Sequence, residues 1–178
     1  KYILGDLPGG MTFAGIYGIN QTRHNLTEDP RVLLADLATG QPLTTDKDTW
    51  AVMWNGFQYL SGDEKHGWGL FGRASISDGN PTPLRYFFSA GIGGDSLLRS
   101  GRNDTWGIAW YYVGASTEFG VVPRAVFNPT NGTGVEAYYN FQVTPWLHVS
   151  PDFQFVNPGM RGIAENSFIG GVRVNMKL

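Results

Sequence analysis

Cysteine is absent from the 178 residues of the chain, which excludes a disulfide framework, a thiolate metal site and a cysteine nucleophile. No stretch approaches the roughly 18 apolar residues that a membrane-spanning helix requires. The net charge is −2, so the composition offers no basic surface for nucleic acid. Charged residues make up only 16% of the chain, against about 25% in typical proteins.

Glycine and aromatic residues are abundant instead. The chain has 25 glycines, and Phe, Trp and Tyr make up 14% of it, yet the mean hydropathy is slightly negative at −0.19. A barrel in a membrane turns apolar side chains toward lipid and polar side chains toward its interior. The composition therefore favours an all-β protein, an antiparallel transmembrane β-barrel.

Apolar and polar residues alternate with a period of two along most of the chain, and helical periodicity is nearly absent. This pattern predicts about eight strands, each bounded by Gly, Pro, Asn or Asp. Most are about ten residues long, as a tilted strand needs to cross a bilayer, whereas strands of soluble proteins commonly have five or six. The predicted strands lie near 10–19, 49–60, 67–77, 84–94, 104–114, 133–143, 146–156 and 166–178.

The connections between these strands differ in length. Segments 20–48 and 115–132 are long and polar, whereas Thr144-Pro145 is a tight turn. Outer-membrane barrels have short periplasmic turns and long external loops, and counting back from a periplasmic C-terminus places both long segments outside. Lys1 to Gly5 lack the features of a signal peptide, and we expect the N-terminus to be truncated. The whole chain is expected to form one barrel segment.

Aromatic residues lie near strand ends and within strands, as in the interfacial belts of membrane barrels. The residues assigned to these belts are Trp50, Trp54, Tyr59, Trp68, Trp106, Trp110, Tyr111, Tyr112 and Trp146.

No catalytic constellation stands out. His24, His66 and His148 are scattered and lack the spacing of metal ligands, and no pair of carboxylates is placed as a glycosidase requires. We therefore expect neither enzyme activity nor a metal or cofactor. The polar face of the strands remains as a candidate binding surface. It carries amides and charged groups of both signs, and such groups exchange hydrogen bonds with sugar hydroxyls. The candidate lumen-lining and sugar-contacting residues are Arg73, Arg85, Tyr111, Glu136, Asn140, Gln142, His148, Asp152, Gln154, Arg173, Asn175 and Lys177.

Several motifs resemble the bacterial carbohydrate-selective porin family. The strand and loop GWGLFGRASISDGNP at 67–81 resembles one of its signature segments, and so do EAYYNF at 136–141, TPWL at 144–147, SPDFQ at 150–154 and GGVR at 170–173. Leu7-Pro8-Gly9-Gly10 is similar to a turn near the middle of the family's sequences, and Asp104-Thr105-Trp106-Gly107 also fits.

The resemblance implies facilitated diffusion of glucose and other small neutral sugars through a sixteen-stranded, commonly monomeric barrel in the bacterial outer membrane. This chain would form its C-terminal half. Its partners would be sugars, outer-membrane lipid and the barrel-assembly machinery, with no nucleic acid. The chain departs from the family at Leu178, where outer-membrane barrels usually end in an aromatic residue. Because the constriction of such porins is built largely by the other half, no constriction residue is transferred to this chain.

Two alternatives remain open at this level. The first is a complete eight-stranded outer-membrane barrel that acts as a structural or adhesive anchor. Side chains fill the interior of so small a barrel. The charged residues Arg73, Glu136, Asp152 and Arg173 would therefore have to pair with one another inside it. The second is a soluble, sugar-binding β-sandwich, against which the strand length and the aromatic strand ends argue.

Overall fold

The computed structural model describes residues 2–4, 6–19, 23–25, 29–46, 48–62, 66–95, 98–99, 103–121, 124–125, 128–159, 162 and 164–177. Leu178 lies outside these ranges. In these ranges eight long strands carry the fold, accompanied by three short strands and a helix. The elements are β1 (Tyr2–Leu4), β2 (Leu7–Gly18), β3 (Arg23–His24), α1 (Pro30–Thr39), β4 (Thr45–Asp46), β5 (Thr49–Gly62), β6 (Gly67–Ser77), β7 (Leu84–Asp95), β8 (Thr105–Ala115), β9 (Gly132–Thr144), β10 (Leu147–Asn157) and β11 (Ser167–Met176).

The eight long strands and the short β1 form one antiparallel sheet with the order β1-β2-β5-β6-β7-β8-β9-β10-β11. Apart from the short β3–β4 pair inside segment 20–48, every strand lies beside its neighbour in sequence. The predicted all-β antiparallel fold class is confirmed. Each long strand overlaps a predicted strand, and the largest difference is in β2, which begins at Leu7 rather than at residue 10.

The helix α1 is a feature that the sequence analysis did not predict. Asp29 caps its first turn by accepting a hydrogen bond from the Arg31 backbone N–H at 2.8 Å, and Pro30 occupies the first turn. Gly40 ends the helix in the left-handed conformation, with φ of 68°, which a residue without Cβ adopts at little cost. No helix in the described ranges is long and apolar enough to cross a membrane.

Strand register divides the side chains of the sheet between two faces. The apolar face is exposed to a high degree: Phe13 is 70% exposed, Phe153 is 69% and Val172 is 70%. Across the sheet it includes Met11, Phe13, Trp54, Leu70, Ile76, Phe88, Ile92, Ile108, Trp110, Val135, Ala137, Phe141, Val149, Phe153, Phe168, Val172, Val174 and Met176.

No hydrophobic side chain in the described part of the chain is fully buried. A sandwich would bury one face of each sheet against the other and so create an apolar core. This chain has one main sheet, whose apolar face has no protein cover in the described structure. The soluble β-sandwich alternative is therefore wrong. An apolar face of this extent needs a cover such as lipid, because water is an unfavourable neighbour for it.

Most of the aromatic residues assigned to belts lie on the apolar face. Tyr17 pairs directly with Trp50 near one end of the sheet, and Trp106 pairs with Tyr139 near the other. Register places Tyr59 and Tyr111 on the opposite face, since Tyr59 pairs with Gly69 and Tyr111 with Ser89. Those two tyrosines therefore do not belong to the belts.

Candidate functional site

Strand register places ten of the twelve residues that the sequence analysis selected on the polar face. Direct register pairs join Gln154 to Glu136 and Gln142 to His148 between β9 and β10. Asn175 pairs with His148 between β10 and β11. The strand period of two assigns five others to the same face, namely Arg73, Tyr111, Asn140, Asp152 and Arg173. Arg85 lies at a register shift of β7, and Lys177 follows the end of β11, so register assigns neither to a face.

Asn140 is the centre of a hydrogen-bond network on this face. Its Oδ1 accepts a hydrogen bond from Ser150 Oγ at 2.8 Å, and its Nδ2 donates to Thr105 Oγ1 at 3.3 Å. The same Nδ2 lies 3.3 Å from His148 Nδ1. This network joins strands β8, β9 and β10 and fixes the amide orientation of Asn140.

A recess of about 460 Å³, which we call the polar recess, opens beside this network. Its lining includes Thr105, Glu136, Tyr138, Asn140, Ser150, Asp152, Gly171, Val172, Arg173 and Asn175. Asp152 accepts a hydrogen bond from Gln154 Nε2 at 2.9 Å. Neither Glu136 nor Arg173 makes a hydrogen bond or ion pair with another described residue, and both line this recess.

The distribution of charge on the polar face bears on the filled-barrel alternative. A filled interior requires that charged groups pair with one another, because an unpaired buried charge is costly. Within the described residues, Arg73, Glu136 and Arg173 form no ion pair, and Asp152 interacts with an amide only. This arrangement suits a hydrated space in front of the face better than a packed interior.

A buried charge cluster holds the connection between β7 and β8. The side chain of Asp104 is completely buried and accepts two hydrogen bonds from the Arg99 guanidinium, both of 2.6 Å. It also accepts one from the Gln142 backbone N–H at 2.8 Å and one from the Tyr139 hydroxyl at 3.1 Å. The Arg99 hydrogen bonds, with those of Gln142 and Tyr139, lower the pKa of Asp104 to about 2 despite its burial.

The sequence analysis missed this cluster, although Asp104 belongs to a motif that it quoted. The cluster also engages Gln142, whose Oε1 accepts a hydrogen bond from the Asn103 backbone N–H at 3.2 Å. Gln142 therefore supports the β7–β8 connection as well as lying on the polar face.

Arg85 has a similar structural role at the opposite end of the sheet. It forms an ion pair of 3.0 Å with Glu118, in the segment after β8, and contacts the Asp78 carbonyl at 3.5 Å. Ser116 donates a hydrogen bond to the Gly79 carbonyl, and its backbone N–H donates to the Pro83 carbonyl at 2.9 Å. Arg85 thus joins two connections and is not a free cation on the polar face.

Residues on segment 20–48 also reach this end of the sheet. Asn80 Nδ2 donates a hydrogen bond to Asn25 Oδ1 at 2.9 Å. Asp78 accepts one from the Trp50 backbone N–H at 3.0 Å. The end of the sheet where β6 ends and β7 begins therefore brings together three segments: segment 20–48, the β6–β7 connection and the segment after β8.

No group of three or more His, Asp or Glu side chains among the described residues is placed to hold a metal ion.

Comparison with known proteins gives one family and one structural relative. The model of the family described as "Carbohydrate-selective porin, OprB family" matches residues 3–178. The solved high-pH structure of Pseudomonas putida OprB is similar with a TM-score of 0.73 and 18% identity, over 96% of this chain and 44% of that chain. The chain thus spans less than half the length of that relative. No curated protein matches the chain. The resemblance predicted from the sequence motifs is confirmed.

Proposed function

Since the chain belongs to the OprB family of carbohydrate-selective porins, we propose that it forms part of the wall of an outer-membrane channel for small sugars. Its apolar face contacts outer-membrane lipid, and its polar face lines the water-filled passage. The channel catalyses no reaction and needs no cofactor. Membership in a porin family favours a channel over an enzyme.

One observation carries this proposal beyond family membership. The polar face presents Glu136 and Arg173, which form no ion pair with another described residue, beside amides such as Asn140 and Asn175 around one recess. A neutral sugar sheds part of its hydration inside a channel and needs both donors and acceptors in exchange. Passage also requires contacts that are favourable but weak, so dispersed groups serve it better than one tight pocket.

The edges of the sheet give a further condition for function. β1 and β11 lie at the two ends of the strand order. Lipid cannot satisfy the backbone groups of an open strand edge, so a sheet in a bilayer must close. We propose that both edges pair with further strands of one monomeric barrel, inserted by the barrel-assembly machinery.

Conductance in planar bilayers tests the proposed function. The full-length protein should form steady single channels, and millimolar glucose or maltose should reduce the current through them. Channels of normal conductance whose current is reduced by neither sugar would contradict the proposed passage of sugars. A protein that inserts as a heat-modifiable barrel but conducts no ions would contradict the channel itself.

A further inference from the structure

A second recess lies on the polar face, and none of the candidate sugar-contacting residues belongs to it. It has a volume of about 300 Å³ and adjoins the polar recess, with which it shares Thr105 and Tyr138. We call it the tyrosine recess. Its lining residues are Phe57, Tyr59, Gly69, Leu70, Phe71, Gly93, Gly94, Asp95, Thr105, Trp106 and Tyr138. Its volume is at the lower limit of small-molecule sites, which span about 300–1,000 Å³.

Strand register explains how this recess forms. Tyr59, Gly69, Gly93, Gly107 and Tyr138 are consecutive partners across the five strands β5 to β9. Neighbouring strands are about 4.8 Å apart, so the two tyrosine backbones are separated by about 19 Å along the sheet. Gly69, Gly93 and Gly107 lie between them and carry no side chain of their own.

The glycines allow the aromatic rings to lie against the sheet. A Cβ placed on Gly107 would lie only 2.7 Å from Tyr138 Cε1. A Cβ on Gly93 would lie 3.7 Å from Phe71 Cε1. Such pairing of a glycine with an aromatic ring stabilises strands in barrels. Tyr138 nevertheless remains 39% exposed.

Polar groups stand beside these rings. Asp95 and Thr105 are direct partners between β7 and β8, and both line the recess. The Asp95 side chain makes no hydrogen bond or ion pair with another described residue. A carboxylate is a strong hydrogen-bond acceptor, and this one lies next to aromatic side chains.

This combination favours one class of ligand. A pyranose ring has an apolar face of C–H groups, which fits an aromatic surface, and a rim of hydroxyls, which donate to a carboxylate. A purely apolar ligand would leave Asp95 unsatisfied in a partly desolvated place. Calcium needs six to eight oxygen ligands, and this recess supplies one carboxylate.

We propose that the tyrosine recess is a sugar-binding subsite on the channel wall, where a neutral pyranose stacks on Tyr59 and Tyr138 and donates hydroxyls to Asp95. The inference rests on the proposed function, because the sugar must reach the polar face. The recess adjoins the polar recess, so a sugar leaving one meets the other through Thr105 and Tyr138. Two adjoining weak sites suit diffusive transfer.

Sugar block of single-channel current tests the subsite in the full-length protein. The variants Tyr138→Ala, Tyr59→Ala and Asp95→Ala should each raise the glucose concentration for half block by about threefold to tenfold, where tenfold corresponds to 1.4 kcal/mol. Asp95→Asn should have a smaller effect, since an amide oxygen still accepts hydrogen bonds. Heat-modifiable migration on gels checks that each variant folds.

Phe153→Ala is the matched control. Phe153 is also an aromatic residue beside a glycine, Gly170, but it lies on the apolar face and does not line the tyrosine recess. Its removal should leave glucose block unchanged. Folded recess variants with the half-block concentration of the wild-type protein would overturn the subsite. If the wild-type channel itself ignores sugar, the proposed function fails, and the subsite fails with it.

Discussion

Asp104 and Arg99 form a two-pronged ion pair with both N–O distances at 2.6 Å, and the carboxylate is fully buried. Both residues form hydrogen bonds with the Gln142 backbone, and so the pair attaches the segment between β7 and β8 to β9. A fully satisfied buried carboxylate is stable, but removal of its partner leaves an uncompensated charge. The connection at this end of the sheet therefore depends on one ion pair.

Arg99→Ala should lower the free energy of unfolding clearly more than the control variant does, because the buried Asp104 carboxylate would lose its charged partner. Urea denaturation of the refolded protein in detergent measures this value. A surface variant of the same charge change, Arg31→Ala on α1, serves as control and should shift the free energy by less than about 0.5 kcal/mol. Equal midpoints for Arg99→Ala and the wild type would contradict the assigned role.

The same pair predicts how stability depends on pH. The pKa of Asp104 falls from 3.8 to about 2 on folding, so the stabilisation is present above about pH 4 and is lost as the pH falls toward 2. The Asp104→Asn variant should lack this acid-dependent loss. Midpoints of urea denaturation at pH 5, 4, 3 and 2 measure the difference. Parallel curves for the two proteins would contradict the prediction.

The assignment of faces predicts opposite effects for one substitution at two positions of β11. Val172→Arg, on the apolar face, should make the free energy of folding into the bilayer less favourable by about 2–4 kcal/mol for a midplane position. Asn175→Arg, on the polar face of the same strand, should leave folding nearly unchanged. Folding into lipid vesicles, followed by heat-modifiable migration, measures both. Equal folding yields would contradict the two-faced assignment.

Much of the fold was predictable because a strand's side chains alternate strictly. The apolar face of β11 and the polar face of β9 follow from residues read in steps of two. The same rule would have placed Tyr59 correctly, since an odd-numbered residue cannot share a face with Trp54 in an unbroken strand. The prediction grouped both by residue type and not by parity.

Other features had weaker or no sequence signals. Asp29-Pro30 and Gly40 are ordinary helix-boundary signals, but α1 has no buried residue to give it a clear apolar stripe. The contact of Asp104 with Tyr139 spans 35 residues, and no local pattern encodes such a distance. The tyrosine recess depends on the register of five strands, which one sequence does not specify.

The ion pair between Arg85 and Glu118 should restrain the segment after β8. Its members are partly exposed, so the pair is a weak surface interaction. Glu118→Gln should speed tryptic cleavage after Arg124 by a small factor, at most about fivefold. The control Glu165→Gln changes the same charge in another connection. Equal rates for wild type and Glu118→Gln at low salt would contradict this restraint.

Glu136 and Arg173, which form no ion pair with another described residue, should set the ion preference of the proposed channel. An ion that passes about 7 Å from one unit charge in a water-like medium interacts with it by about 0.6 kcal/mol. Such an energy changes the permeability ratio by about threefold. Arg173→Gln should therefore shift the channel toward cations, and Glu136→Gln should shift it toward anions by a similar factor. Reversal potentials in a potassium chloride gradient measure both shifts. Val174→Ala, on the apolar face of the strand that carries Arg173, should leave the potential unchanged. If neither charge variant moves it, the polar face does not line the conducting passage.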